Sequence, residues 1–154
     1  MYRNVSQYCD KLEVKVISVL TVPKAHIIFY QDEAGKAPVL KWLKALLKQD
    51  RKGYANCVAR IQQLADMGYE LRRPAADYLR DGVYELRAKH IRVQYRILYF
   101  FHGQNIAILA HAVIKDTAQV PTAELERAIR RKQLFEANPE IHTYLEETEN
   151  GEDE

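Results

Sequence analysis

Two neighbouring stretches in the middle of the chain hold charged side chains where they could do chemistry. Residues 83–89 read VYELRAK and residues 92–101 read RVQYRILYFF. Side chains alternate across a strand with a period of two. Glu85, Arg87 and Lys89 therefore share one face of the first stretch, opposite Tyr84 and Leu86. Arg92, Gln94 and Arg96 share one face of the second, opposite Val93, Tyr95, Ile97, Tyr99 and Phe101. A hairpin turning at His90–Ile91 pairs Lys89 with Arg92, Arg87 with Gln94 and Glu85 with Arg96. Every polar residue then lands on one side, and a one-residue slip would undo that sorting. A second hairpin through HGQN (102–105), with Phe100 opposite Asn105, sets Arg96 facing Leu109 and Gln94 facing His111. His111 joins the polar face, and Lys115 follows at the same parity.

This set suits RNA cleavage by the RNA's own 2′-hydroxyl. The reaction needs a base for the hydroxyl proton, an acid for the leaving 5′-oxygen and cations around the phosphate. Arginine does not deprotonate, so Arg87 and Arg96 would stabilise phosphate charge through fixed donors. His111 titrates near neutrality and is a candidate acid or base, and Lys115 could supply charge or a proton. Lys89, Arg92 and Gln94 on the same face, and Arg72 and Arg73 in the loop around Pro74, are candidate RNA-binding residues. Nearby tyrosines could stack on exposed bases. Each residue also has a plainer reading. Arg96 could only bridge Glu85 across the strands, worth under ~1 kcal/mol if exposed. His111 could be structural, and Lys89 and Arg92 solvated charges.

The elements that would position these residues follow from periodicity. Residues 26–30 (HIIFY) form a short apolar run of strand type. Pro38 opens a helix over 38–48 whose Val39, Trp42, Leu43, Leu46 and Leu47 fall on one stripe. A second helix runs from about Asp50 to Met67, with Gly68 as its C-cap. Strands 83–89, 92–101 and 106–113 come next, and Thr122 caps a helix to about Glu136 with Arg127, Arg130, Arg131 and Lys132 outward. EVKVISVL (13–20) is a further candidate strand. The order β-α-α-β-β-β-α, with consecutive hairpins, predicts an α+β fold: a mostly antiparallel sheet packed by helices.

The chain has 154 residues, enough for one domain with its own core. Its net charge of +2 conceals an asymmetry. Residues 146–154 (EETENGEDE) hold six acids and no base; without them, 23 basic residues face 15 acidic ones. A basic body suggests an anionic partner such as nucleic acid, against the plainer reading of a solubilising tail. Cys9 and Cys57 have no metal-ligand spacing, so no metal and no disulfide framework is expected, and no cofactor motif is present. No run approaches a membrane span and no signal peptide is read, so a cytoplasmic location is expected.

Three stretches together resemble the phage-derived branch of HigB-type toxins in the RelE/ParE superfamily. They are FYQDEAGKAPVLKWLKAL (29–46), LRDGVYELRAKHIRVQYRILYFF (79–101) and HAVIKDTAQVPTAELERAIRR (111–131). They look like that family's opening strand and "P-V-x-x-W-L" helix, its "Y-E-L-R … Y-R" core and its "H-x-F-x-K-K-T" ending, in order and at matching spacing. The resemblance implies a RelE-like fold and a toxin paired with a HigA-like helix-turn-helix antitoxin. It also implies metal-independent, ribosome-dependent cleavage of mRNA. Matched residue by residue, Arg87, Arg96, His111 and Lys115 fall on the family's motif positions. The domain would then span 26–136, with 1–25 an N-terminal extension and 137–154 an acidic, mobile tail. The chain departs from the family at Asp116, Gln119 and Val120, where further lysines are common, so positive charge is lost beside the site. Two alternatives stay open: a ParE-like inhibitor of DNA gyrase, and a non-toxic phage-derived binding protein.

Overall fold

The computed structural model describes residues 24–115 and 119–145. The candidate strand at 13–20, Cys9, Asp116 and the acidic run 146–154 lie outside the described residues. Five strands form one sheet: β1 (His26–Phe29), β2 (Ala76–Arg80), β3 (Val83–His90), β4 (Val93–His102) and β5 (Ile106–Lys115). Their spatial order is β1-β5-β4-β3-β2. Among the described residues only the β1–β5 pairing is parallel, so the sheet is mixed and mostly antiparallel, within an α+β architecture.

Helices pack on both faces of the sheet. Helices α1 (Pro38–Gln49) and α2 (Arg51–Met67) pack on one face. There Val39, Leu43, Leu46, Cys57 and Leu64 meet Leu86, Tyr95, Ile97, Tyr99 and Leu109. Helix α3 (Thr122–Ala137) covers part of the other, where Ala128 and Phe135 meet Val83, Leu98, Phe100 and Ile108. Each fully buried aliphatic or aromatic side chain there is worth roughly 1.5–3 kcal/mol. Cys57 is one of the core residues, and burial pushes its thiol up to about 12.

Several features differ from the sequence expectation, three of them in the chain path. The first is β2, which occupies residues expected to be loop. It forms a tight hairpin with β3 across Asp81–Gly82, both at positive φ (52° and 80°). An Asp-Gly pair is the preferred two-residue connection for right-twisted strands. The second is the β3–β4 turn, which lies at Ile91–Arg92 rather than His90–Ile91, so Arg87 pairs with Arg96 and Lys89 with Gln94. The pairing moves by two residues, which preserves the faces. Ile91 takes φ 57°, a left-handed conformation that costs a β-branched residue about 1–2 kcal/mol. The third is the chain after α3. Residues 139–145, expected in the tail, dock on β1: Thr143 bridges Tyr30, and His142 in α4 (Pro139–His142) stacks on the Tyr30 ring at 5.1 Å.

Asp50 joins the two layers. Its carboxylate accepts from the Gly53 amide (3.0 Å), His90 Nδ1 (2.9 Å) and the Tyr95 hydroxyl (2.8 Å), tying the start of α2 to β3 and β4. These donors hold its carboxyl down at about 2, the Gly53 amide first. A Cβ on Gly53 would run into that carboxylate and lie 2.7 Å from the Tyr95 hydroxyl. Glycine to alanine inside a helix ordinarily gains up to ~1 kcal/mol. Here the crowding reverses the sign: Gly53→Ala should lower stability by about 1–3 kcal/mol. A denaturant midpoint unchanged or raised would contradict this packing.

Candidate functional site

The register lays the polar side chains out in rows across β3, β4 and β5, all on the face that α3 only partly covers. Lys89, Gln94 and Lys115 form the row nearest the β3–β4 turn. Arg87, Arg96 and Val113 form the next, and Glu85, Leu98 and His111 the third. The expected Arg96–Leu109 and Gln94–His111 pairs are not present. Instead Tyr99 pairs with Leu109 and Leu98 with His111, with a bulge between. A bulge adds one residue to one strand and reverses the parity beyond it. Without it His111 and Lys115 would turn to the α1–α2 face.

Arg96 is the buried centre of this set, 3% exposed. Its guanidinium donates to the Tyr95 carbonyl (2.9 Å) and to Gln94 Oε1 (2.8 Å). Its Nε lies 3.4 Å from Glu85 Oε2, yet neither atom makes a hydrogen bond. Burial pulls the Arg96 pKa down, opposed by Glu85 and reinforced by Arg87. Arg87 is the outer member: its Nε is 3.9 Å from Glu85 Oε1 and its side chain stays 28% exposed. It opens into a cavity of about 380 Å³ with Arg60, Arg73, Lys89, Gln94 and Arg96 on its walls.

Arg60 was not expected there. It reaches from α2 to donate to the Arg87 carbonyl (2.8 Å), covering the edge of β3 beyond the end of β2. Its position, three after Cys57 and four before Leu64, puts it on the buried stripe of its helix, and that spacing is the signal that could have found it. Of the other candidates, Arg73 pairs with Asp77 at 2.6 Å on the cavity rim. Arg72 turns to the Tyr69 and Leu71 carbonyls instead. Arg92 sits exposed in the β3–β4 turn.

His111 and Lys115 share the sheet face with the arginines but line a second cavity, with Trp42, Glu124 and Arg127. The one polar face expected to hold Arg87, Arg96 and His111 therefore carries two separate cavities. Both ring nitrogens of His111 are engaged: Nε2 meets Glu124 in a short contact, and Nδ1 lies 3.0 Å from Arg131 Nη1. Arg131, expected outward, also donates to the Ala110 carbonyl (2.7 Å) and sits over the Tyr30 ring. Since arginine only donates, Nδ1 must accept, which leaves the proton on Nε2. Burial, above all, lowers the His111 pKa; Glu124 opposes and Arg131 reinforces. Lys115 is 5% exposed, and burial and then Arg96 lower its pKa, against Glu85.

Fold and site together define a basic α+β domain with cations gathered on one half-open sheet face. A family model for phage-derived Gp49-like proteins (DUF891) matches residues 41–133, more than half of the chain, and the chain belongs to that family. No curated protein matches it. Among the described residues, no helix is long and apolar enough to cross a membrane.

The locked imidazole makes a prediction. A histidine whose folded pKa lies below its ordinary 6.5 contributes stability above that value, and the contribution is lost as pH falls. Ring-nitrogen chemical shifts should show His111 neutral with its proton on Nε2 at pH 6.5, and His111→Gln should flatten the loss of stability below it. An imidazolium at that pH would contradict the arrangement.

Proposed function

We propose that this chain is the toxin of a toxin–antitoxin pair of HigB type. On this reading it is an endoribonuclease that cuts mRNA on the ribosome through the 2′-hydroxyl, without a metal, and a helix-turn-helix antitoxin neutralises it. The observation that carries the reading is the gathering of Arg87, Arg96 and Lys115 around one buried carboxylate, Glu85, with Arg60 and Lys89 at the cavity wall. Cations held this close inside a fold are costly unless anions meet them; Glu85 is one carboxylate beside three cations, and a phosphodiester would add the further negative charge. Membership of a phage-derived family agrees with a mobile toxin gene.

The roles divide by exposure. Arg87 is the group a phosphate can reach, with Lys89 and Gln94 beside it. Arg96 works from below, fixing Gln94 and adding positive potential. On this reading Lys115, whose pKa burial and Arg96 pull below the ordinary lysine value and which pairs across the sheet with Gln94, exchanges a proton with the 2′-hydroxyl. His111 positions α3 against the sheet, since its nitrogens are occupied.

Induced expression should arrest growth and leave new mRNA 5′ ends within translated messages, and co-expression of the adjacent gene should abolish both. Arg87→Ala should cut cleavage at least about a hundredfold, the cost of losing one placed transition-state donor, with the fold intact. Growth arrest with intact messages would overturn the nuclease reading.

A further inference from the structure

The hairpin joining β3 and β4 ends in a residue that the fold does not need there. Ile91 is 81% exposed and holds φ 57°. A turn with positive φ at its first central residue prefers glycine, because a Cβ clashes with the backbone in that region and a β-branched one most of all. The chain's other two-residue hairpin meets the same demand with Asp81–Gly82. Among the described residues, no packing repays the strain at Ile91. It does fix where the side chain points: outward from the end of the sheet. Val93, 39% exposed, and Ile114, 50% exposed, stand at the same end.

The charged side chains of the hairpin itself are cationic, and the acid that approaches it, Asp50, is taken up by His90 and Tyr95. Residues 87–94 hold Arg87, Lys89 and Arg92 and no acid. Arg87, Lys89 and Gln94 line the cation-rich cavity a few residues back along the same hairpin. An apolar point framed by cations matches a partner with flat apolar faces strung on an anionic backbone, which is single-stranded RNA. Apolar side chains inserted between bases are an established way to unstack a nucleic acid.

We propose that Ile91 is a wedge: it inserts beside a base of the RNA whose phosphate Arg87 holds, and so presents the scissile linkage splayed rather than stacked. The inference rests on the RNA reading above. In-line attack by a 2′-hydroxyl needs such a geometry, because stacked A-form RNA keeps that oxygen out of line with the leaving group. The backbone strain keeps the wedge extended before RNA arrives, so no ordering is needed on binding.

The test uses the full chain and a short single-stranded RNA with blocked 2′-hydroxyls and one fluorescent base analogue, whose emission rises on unstacking. Wild-type protein should bind and raise the emission. Ile91→Gly removes strain and wedge together, so its Tm should rise while RNA affinity falls about tenfold, the scale of one lost base contact, and the emission change disappears. Ile91→Asn, which tolerates the left-handed backbone, should lose the emission change too. Wild-type emission and affinity in Ile91→Gly would overturn the wedge, as would a Tm that does not rise. If Arg87→Ala weakens binding while Ile91→Gly does not, the wedge fails and the phosphate site stands. If wild-type protein does not bind the RNA, the wedge fails, while the mapping of mRNA 5′ ends decides the nuclease reading separately. If Ile91→Gly instead loses only its hold on the neighbouring gene's product, the tip serves a protein and the proposal is wrong.

Discussion

Arg96 is a guanidinium almost wholly out of water, and such a charge is tolerable only where something meets it. Here the Tyr95 carbonyl and the Gln94 amide each take one of its terminal nitrogens. Glu85 faces its Nε at 3.4 Å without completing a hydrogen bond. The same carboxylate faces Arg87. One acid thus anchors two arginines that sit directly opposite each other on neighbouring strands, a pairing that like charges otherwise disfavour. Replacing Glu85 with an apolar residue would leave those two charges facing each other with no counter-charge between them. The cation cluster exists because this one carboxylate is buried among them.

Two further devices keep the cluster accessible. The β5 bulge turns His111 and Lys115 onto the arginine face. Helix α3 then covers only the far end of that face, pinned there by Glu124 and Arg131 on His111. At the other end α2 closes the free edge of β3 with side chains alone, Arg60 on the Arg87 carbonyl and Asn56 on that of Lys89. A strand edge covered this way is protected from pairing with another chain. It also leaves the cavity in front of Arg87 open.

Much of this was readable from the residues in order. Period-two alternation sorted Arg87, Lys89, Gln94 and Arg96 onto one face, and it survived a misplaced turn because the error was two residues and not one. A straight register also puts His111 and Lys115 on that face, whereas the structure puts them there through a bulge, which no residue type announces. The β2 strand was obscured by its shortness, although Asp81–Gly82 flanked by Leu79 and Val83 carries the hairpin signature. The capture of His111 by α3 was out of sight for a different reason. Glu124 and Arg131 look like solvated helix positions until the helix is laid on the sheet, and only packing decides which charged residue turns inward.

On the proposed reading, Arg87 and its neighbours form a phosphodiester site. The most direct measurement is residue-resolved NMR of the full chain titrated with a single-stranded RNA blocked at its 2′-hydroxyls. The arginine Nε–H signal of Arg87 and the signals of Lys89 and Gln94 should move first and saturate together, with affinity falling as salt rises. Shifts confined to the opposite side of the sheet, around Tyr69 and Tyr78, or none at all, would contradict it.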